Sequence, residues 1–253
     1  MKTGYYRNAG QLLLQNINLK CISKRYSTPL YIYDSNSIKE SFNLLKNIMK
    51  PFNGNIHFAV KSNDNLGIIK YLNKLGAGTD VVSIGELKRC LKVSVNPQQI
   101  IFSGVGKEKE EIEFSILNNI KQLNVESIEE LKDVIKISDN LKKNVNVALR
   151  VNFDINAKTH QKISTGDENS KFGIIAEDIV IAYKLLNKAK FVKPFGLAVH
   201  VGSQLFDYDV FFETFIKIKT LAIELRNLGF EVNHLDLGGG FGIDYTKNKL
   251  LNY

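Results

Sequence analysis

Lys61 carries the side chain best suited to covalent chemistry in this sequence. It follows the apolar run Ile56–Val60 and precedes polar residues and a helical pattern, which predicts a buried strand with a lysine at its end. An amine in such a place can have a lowered pKa and can form a Schiff base with an aldehyde. The alternative is a lysine that merely extends from a strand end into solvent.

A glycine triplet offers a second chemical feature. Gly238, Gly239 and Gly240 directly follow the candidate strand His234–Leu237. Consecutive glycines let backbone N–H groups approach an anion without interference from Cβ atoms, and barrels often bind phosphate after their seventh strand. Ser203, predicted to end the preceding strand, can donate its hydroxyl to the same phosphate. A flexible turn without a ligand is the alternative for the triplet.

His200 is predicted on the same strand as Ser203. An imidazole facing a barrel interior can stack on a planar ring, donate to a substrate or bind a metal. No second histidine or carboxylate stands at metal-ligand spacing from it, so we predict no metal site. A core histidine with satisfied hydrogen bonds is the alternative, and the neighbouring Gly202 and Ser203 favour a role in a pocket.

Arg150 is a charge inside the apolar run Val147–Val151, and a buried guanidinium needs a partner. A cofactor phosphate, a phenolate oxygen or a carboxylate such as Asp80 would serve. A structural ion pair within the barrel is an equal alternative. Asp80 ends its own candidate strand, where it can face the same pocket or act as a helix cap or ion-pair partner.

Strand and helix patterns alternate along the chain. The candidate strands are Leu30–Tyr33, Ile56–Val60, Gly78–Val81, Ile100–Phe102, Gln122–Val125, Val147–Val151, Gly196–Val201 and His234–Leu237. The candidate helices between them are Ser37–Met49, Gly67–Leu75, Ile84–Leu91, Leu131–Ser138, Asp178–Ala189 and Asp209–Leu228. Repeated strand–helix units imply a parallel sheet with right-handed crossovers, and their number suits an α/β fold of the (β/α)8 TIM-barrel type.

The strand count predicts an incomplete barrel. We assign residues 1–34, with Leu30–Tyr33, to a lead-in segment outside the barrel, and residues 35–253 to the barrel itself. Seven candidate strands then remain for the barrel, and residues 242–253 show no pattern for an eighth. The long polar connection Asn152–Phe172 leaves a strand at the end where barrel active sites lie, so we expect it to be functional.

Composition narrows the class of protein. The 253 residues carry a formal charge of +8, but acidic residues interrupt the lysines and no arginine-rich cluster appears, so we expect no nucleic-acid partner. The sequence has no apolar run long enough to form a membrane helix, and its first residues lack the apolar core of a secretory signal. Both observations favour a cytoplasmic location. Cys21 and Cys90 show no metal or disulfide spacing.

A lysine, a ring-stacking histidine and a phosphate turn together suit pyridoxal 5'-phosphate. With these features the chain resembles the diaminopimelate decarboxylases, a family of fold-type III pyridoxal-phosphate-dependent decarboxylases. The motifs that carry the resemblance are Thr28–Asp34, Phe58–Asn63, Gly78–Ser83, Gly85–Leu87, Val125–Ser127, Arg150–Asn152, the loop Ala157–Gly173, His200–Gln204 and Leu235–Phe241.

The resemblance implies particular roles for these residues. It implies that Lys61 bonds the cofactor as a Schiff base, that His200 stacks on the pyridine ring, and that Ser203 and Gly240 bind the phosphate. It also implies decarboxylation of the amino acid meso-2,6-diaminopimelate to L-lysine, a step of lysine biosynthesis, by a homodimer. The predicted catalytic residues are Lys61 and His200. The predicted cofactor contacts are Lys61, Arg150, His200, Ser203, Gly238, Gly239 and Gly240.

The sequence departs from the family pattern at its end. The family's eighth strand carries an acidic residue, which pairs with the pyridine nitrogen, in a Glu-Pro-Gly-Arg segment. This sequence has neither that segment nor a C-terminal β-domain. We therefore expect the N-terminal barrel portion of such an enzyme, with activity of these residues alone left open. A non-catalytic pyridoxal-phosphate-binding barrel and a decayed or split product are the alternatives.

Overall fold

The computed structural model describes residues 4–153 and 172–245. Its strands are β1 (Tyr5–Asn8), β2 (Gln11–Leu14), β3 (Ile17–Asn18), β4 (His57–Ala59), β5 (Gly78–Val81), β6 (Ile100–Phe102), β7 (Gln122–Val125), β8 (Val145–Asn152), β9 (Ile174–Ile175), β10 (Val192–Ala198) and β11 (His234–Asp236). Its α-helices are α1 (Leu19–Tyr26), α2 (Ser35–Met49), α3 (Leu66–Leu75), α4 (Ile84–Lys92), α5 (Lys109–Leu117), α6 (Ile128–Leu141), α7 (Ile179–Lys188) and α8 (Tyr208–Asn227).

The central sheet runs in the order β11-β10-β8-β7-β6-β5-β4, and β9 adds to β8 beside this path. Every neighbouring pair is parallel, and at least one helix lies between consecutive strands of the path. The predicted α/β barrel architecture is thus confirmed. Within the described residues no strand pairs with the outer edge of β4 or of β11, so the barrel is open between them.

The sheet curls strongly despite this opening. Asp236 on β11 and Asn124 on β7 are separated by two strands, which would hold them about 14 Å apart in a flat sheet. Their side chains instead meet at 2.9 Å inside the barrel. The curvature therefore brings interior side chains from distant strands into one polar cluster.

Apolar strands and amphipathic helices form the core around this sheet. All three residues of β6 are buried, as are the four residues of β7. Helices α4 to α7 add buried residues such as Leu87, Ile112 and Leu131 to one continuous cluster. Burial of these side chains supplies the main driving force for folding and fixes where each strand ends.

Serines start two of the crossover helices. The hydroxyl of Ser83 accepts from the N–H of Glu86 at 3.3 Å, and that of Ser127 accepts from Glu130 at 3.0 Å. The Glu86 carboxylate in turn accepts from the N–H of Val82 rather than from the N-cap residue itself. These caps satisfy N–H groups that have no partner within the helix and hold the strand-to-helix turns at the carboxyl ends of the strands.

The lead-in segment differs from the prediction. Strands β1, β2 and β3 form an antiparallel meander that the sequence did not indicate to us. The predicted strand Leu30–Tyr33 is wrong, because these residues pair with no strand among the described residues and three of them are exposed. Asp34 ties the segment to the barrel: it caps α2 and accepts from the N–H of Gly4 at 2.7 Å.

Strand β10 also differs from the prediction Gly196–Val201, since it covers Val192–Ala198. A register shift between Pro194 and Gly196 marks its middle. A Cβ placed on Gly196 would lie 1.9 Å from the His234 carbonyl oxygen, so the glycine lets β11 pack closely. Residues 154–171, which make up most of the predicted functional connection Asn152–Phe172 and of the loop Ala157–Gly173, lie outside the described residues.

Candidate functional site

Lys61 lies just beyond β4 in a single 3₁₀ turn, Val60–Ser62, and not on the strand as predicted. The hydroxyl of Ser62 donates to the Ala59 carbonyl at 2.7 Å and holds this turn. The Lys61 side chain is exposed, while Val60 beside it is fully buried in the core. The turn therefore presents the amine at the carboxyl end of β4, which is one border of the barrel opening.

Two turns pack together at the other border. The segment His200–Gln204 follows β10, and the segment Gly238–Gly242 follows β11. The N–H of Leu205 donates to the Gly240 carbonyl at 2.9 Å, and the N–H of Gly242 donates back to Leu205 at 2.8 Å. His200 and Ser203 thus lie in a loop rather than on a strand, which corrects the prediction. The reason is that β10 ends at Ala198 and the backbone turns at Gly202.

The glycine turn has the shape of an anion cradle. Gly240 has φ +97°, and a Cβ placed on it would lie 1.8 Å from the Gly202 carbonyl oxygen. A Cβ on Gly239, by contrast, would meet no atom within 4 Å, so open space faces this residue. Among the described residues, the N–H groups of Gly239 and Gly240 have no hydrogen-bond acceptor. The turn therefore offers backbone donors beside open space, and Ser203 lies next to it.

His200 lies against this turn. Its Nδ1 atom would be 3.1 Å from a Cβ placed on Gly238. Burial, together with the nearby charges of Arg150 and Lys61, lowers the pKa of His200 to about 4, and the charge of Asp236 acts in the opposite direction. At neutral pH the ring is therefore uncharged.

Arg150 pairs with Glu126 and not with Asp80, which we had considered. Its Nη1 atom lies 2.8 Å from Glu126 Oε1, and 13% of the arginine side chain and 8% of the glutamate side chain are exposed. The register explains the partner: Val125 is paired with Leu149, so the next residue of each strand comes side by side. The guanidinium also lies 5.8 Å from the Phe172 ring. Its positive charge also lowers the pKa of His200.

Asp80 faces the barrel interior below Lys61. It is paired in register with Ala59, two residues before the lysine. Burial raises its pKa to about 7, while a hydrogen bond with Ser103 and the charge of Lys61 act in the opposite direction. Its Oδ1 atom is enclosed and has no hydrogen-bond partner in the described structure. Asp80 is therefore a buried carboxyl group that takes up or releases its proton near neutral pH.

The model of the family "Pyridoxal-dependent decarboxylase, pyridoxal binding domain" matches residues 35–252. The chain belongs to this family. Its cofactor is pyridoxal 5'-phosphate, as the sequence predicted.

Individual relatives agree with the family. Diaminopimelate decarboxylase of Helicobacter pylori strain J99 is 39% identical over 92% of this chain and 58% of its own length. The Aquifex aeolicus diaminopimelate decarboxylase is 38% identical over 95% of this chain and 56% of its own length. This confirms the resemblance, and the chain spans somewhat more than half the length of these curated relatives.

Solved structures give the same result. The diaminopimelate decarboxylase of M. jannaschii superimposes with a TM-score of 0.89 and 35% identity, over 98% of this chain and 59% of that one. That of Helicobacter pylori complexed with L-lysine has a TM-score of 0.87 and 38% identity, over 92% and 59%. The lysine/ornithine decarboxylase of Vibrio vulnificus, at 21% identity and a TM-score of 0.77, shares the fold.

The chain's residues fit the cofactor of this pyridoxal-dependent family. The open N–H groups of Gly239 and Gly240 suit a phosphate, and the exposed amine of Lys61 suits an aldehyde. The uncharged His200 ring lies against the glycine turn. In residues 4–153 and 172–245 no group of three or more histidine, cysteine, aspartate or glutamate side chains could hold a metal ion.

Several polar residues at this site were missed by sequence reasoning. Glu126 was missed as the partner of Arg150, and Asp236 and Asn124 as members of the interior cluster. Lys107 was also missed: it is buried and donates to the Asn124 carbonyl at 2.6 Å. Of these residues, only Asp236 could have been found from the sequence, because a carboxylate that ends a strand two residues before a glycine triplet can hold the turn.

Among the described residues, no helix is long and apolar enough to cross a membrane.

Proposed function

We propose that this chain is the cofactor-binding part of a diaminopimelate decarboxylase, which converts meso-2,6-diaminopimelate to L-lysine and carbon dioxide. The observation that carries the proposal is the convergence of Lys61, His200 and the Gly238–Gly240 turn at the carboxyl ends of β4, β10 and β11. In this proposal residues 1–34 are the lead-in segment and residues 35–253 are the barrel. The start of the family match at residue 35 supports that boundary.

Lys61 holds the cofactor aldehyde covalently in this proposal. Its turn directs the amine into the space shared with His200, and Asp80 and Glu86 supply negative charge close to it. When bound, pyridoxal phosphate supplies the electron sink for the electron pair that remains after the carboxylate departs.

The glycine turn would hold the cofactor phosphate. The N–H groups of Gly239 and Gly240 and the hydroxyl of Ser203 would donate to its oxygens. The N–H of Gly238 is engaged by Asp236 at 3.0 Å, so Gly238 contributes through its left-handed backbone at φ +68°. A positive φ is available to glycine at little cost, which is why the turn can keep this shape.

His200 and Arg150 orient the cofactor ring. Because its pKa is about 4, His200 stays uncharged at neutral pH and can stack on the pyridine face without repelling Lys61. Arg150 uses one nitrogen for Glu126 and has further N–H groups to direct at an oxygen of the ring. Glu126 thus fixes the guanidinium and leaves its remaining donors for the cofactor.

The substrate, the assembly and the location are part of the same proposal. Relatives with solved structures bind L-lysine, the product we assign, which supports an amino-acid substrate. We propose a homodimer for the whole protein and a cytoplasmic location, both of which suit the biosynthetic role of the family.

The test is substrate-dependent spectroscopy of the cofactor-loaded chain. Titration with meso-2,6-diaminopimelate is expected to change the cofactor absorbance with saturation, at lower concentrations than L-ornithine requires. Lys61→Ala is expected to abolish the loaded spectrum, whereas Lys70→Ala, at an exposed helical lysine, leaves it unchanged. Equal responses to both amino acids, or a normal spectrum in Lys61→Ala, would contradict the proposal.

A further inference from the structure

Asp236 connects two parts of the molecule through its two carboxylate oxygens. Oδ1 accepts from the N–H of Gly238 at 3.0 Å, at the first residue of the glycine turn. Oδ2 accepts from Nδ2 of Asn124 at 2.9 Å, inside the barrel on β7. One side chain therefore bridges the turn and the opposite wall of the barrel.

Asn124 extends this bridge across the interior. It is 3% exposed, and its Nδ2 group also donates to Ser103 Oγ on the loop after β6 at 2.9 Å. Its Oδ1 atom accepts from Nε2 of the fully buried Gln122 at 2.6 Å. The result is a buried chain of hydrogen bonds from the glycine turn to Ser103, on the loop after β6.

The hydrogen bond between Asn124 and Asp236 has a fixed donor and a fixed acceptor. Asp236 can only accept when ionised, whereas the amide nitrogen of Asn124 can only donate. Buried polar groups of this kind specify one arrangement, because reversing a single partner leaves donors facing donors.

We propose that Asp236 is a positioning residue that sets the glycine turn for phosphate binding. It occupies the N–H of Gly238 and so directs the next two N–H groups, of Gly239 and Gly240, towards the open space. Asn124 and Gln122 hold the Asp236 carboxylate in the orientation that this requires. The inference rests on the proposed function, since it assumes that the turn binds the cofactor phosphate.

The test compares pyridoxal phosphate with pyridoxal, which has the same aldehyde but no phosphate. Dissociation constants of both are measured from the absorbance of the adduct with Lys61. Asp236→Asn places an amide donor against the Asn124 donor, and we expect the dissociation constant of pyridoxal phosphate to rise about tenfold with that of pyridoxal nearly unchanged. Combining Asp236→Asn with Asn124→Asp restores a donor–acceptor pair and is expected to recover most of the affinity.

The matched control is Ser138→Ala, which removes a buried hydroxyl hydrogen bond within α6. It is expected to leave both dissociation constants unchanged. If Asp236→Asn weakens the two ligands equally, or if the double variant is no better than the single one, Asp236 has only a structural role and the inference is overturned.

A measurement on the unmodified chain covers variants that fail to fold. Amide hydrogen exchange of Gly238 is expected to be slow without ligand, with Gly239 exchanging fast until inorganic phosphate is added. Equally fast exchange at Gly238 and Gly239 would overturn the inference. If the unmodified chain binds pyridoxal phosphate no more tightly than pyridoxal, the phosphate role of the turn fails, while slow exchange at Gly238 would still show the Asp236 bond.

Discussion

The guanidinium of Arg150 lies 2.8 Å from the carboxylate of Glu126, and both side chains are largely buried. Burial raises the pKa of Glu126 above its usual value, and the charge of Arg150 offsets only part of this rise. The second oxygen of Glu126 has no hydrogen-bond partner in the described structure. The pair is thus a fixed but incompletely satisfied element of the site.

Removing either partner of this pair should have unequal effects. Glu126→Leu leaves a guanidinium that cannot lose its proton, and we expect a loss of about 3 kcal/mol in the free energy of unfolding. Arg150→Met is expected to cost less, because Glu126 can take up a proton. Urea unfolding at neutral pH measures both, and equal or fully additive costs in the double variant would contradict this account.

The glycine turn yields a matched pair of variants. Gly240→Ala forces a Cβ to within 1.8 Å of the Gly202 carbonyl oxygen at a positive φ, so we expect a stability loss of more than about 1 kcal/mol. Gly239→Ala projects into open space at an ordinary φ and should change stability by less than about 0.5 kcal/mol. Thermal unfolding of the two variants decides, and equal losses would contradict the described geometry of the turn.

How far the sequence predicts this fold depends on what each segment contacts. Strand β5 was predicted with its observed bounds, because the short run Gly78–Val81 lies between clear helical patterns. The bounds of strand β10 were predicted wrongly. Its N-terminal half contains Lys193 and Pro194, and its boundary depends on the packing of Gly196 against β11. Such contacts are set by the tertiary structure and not by local pattern.

The same limit applies to the site. Lys61 and the glycine triplet carry chemistry in their own residue types and were predicted directly. The partner of Arg150 depends on the register between β7 and β8, which placed Glu126 beside it and left Asp80 on another strand. The role of Asn124 depends on the curl of the sheet, which no local pattern contains.

The raised pKa of Asp80 predicts that the free energy of unfolding falls as the pH rises. An unfolded aspartate loses its proton near 3.8, whereas the pKa of folded Asp80 is about 7. Between these values the unfolded chain releases a proton that the folded chain keeps, so rising pH favours unfolding until about pH 7. Asp80→Asn removes this contribution, and its stability relative to the parent should increase from pH 4 to pH 7 and then level off. A difference that does not vary with pH would contradict the assignment.

His57 predicts the opposite dependence. Burial lowers its pKa to about 4 from 6.5, and the charges of Lys121 and His234 act in the same direction against that of Asp236. The unfolded chain takes up a proton between these values that the folded chain refuses, so acid favours unfolding. His57→Gln should therefore lose less stability than the parent when the pH falls from about 6.5 to 4. Denaturant unfolding at several pH values measures it, and identical pH profiles would contradict the prediction.

The most direct test of the central claim is to locate the lysine that bonds the cofactor. The purified chain is incubated with pyridoxal phosphate and reduced with borohydride, and the labelled peptides are mapped. We predict one adduct, at Lys61, which would show that the turn after β4 and the glycine turn after β11 form one site. No adduct, or label scattered over exposed lysines, would contradict the account.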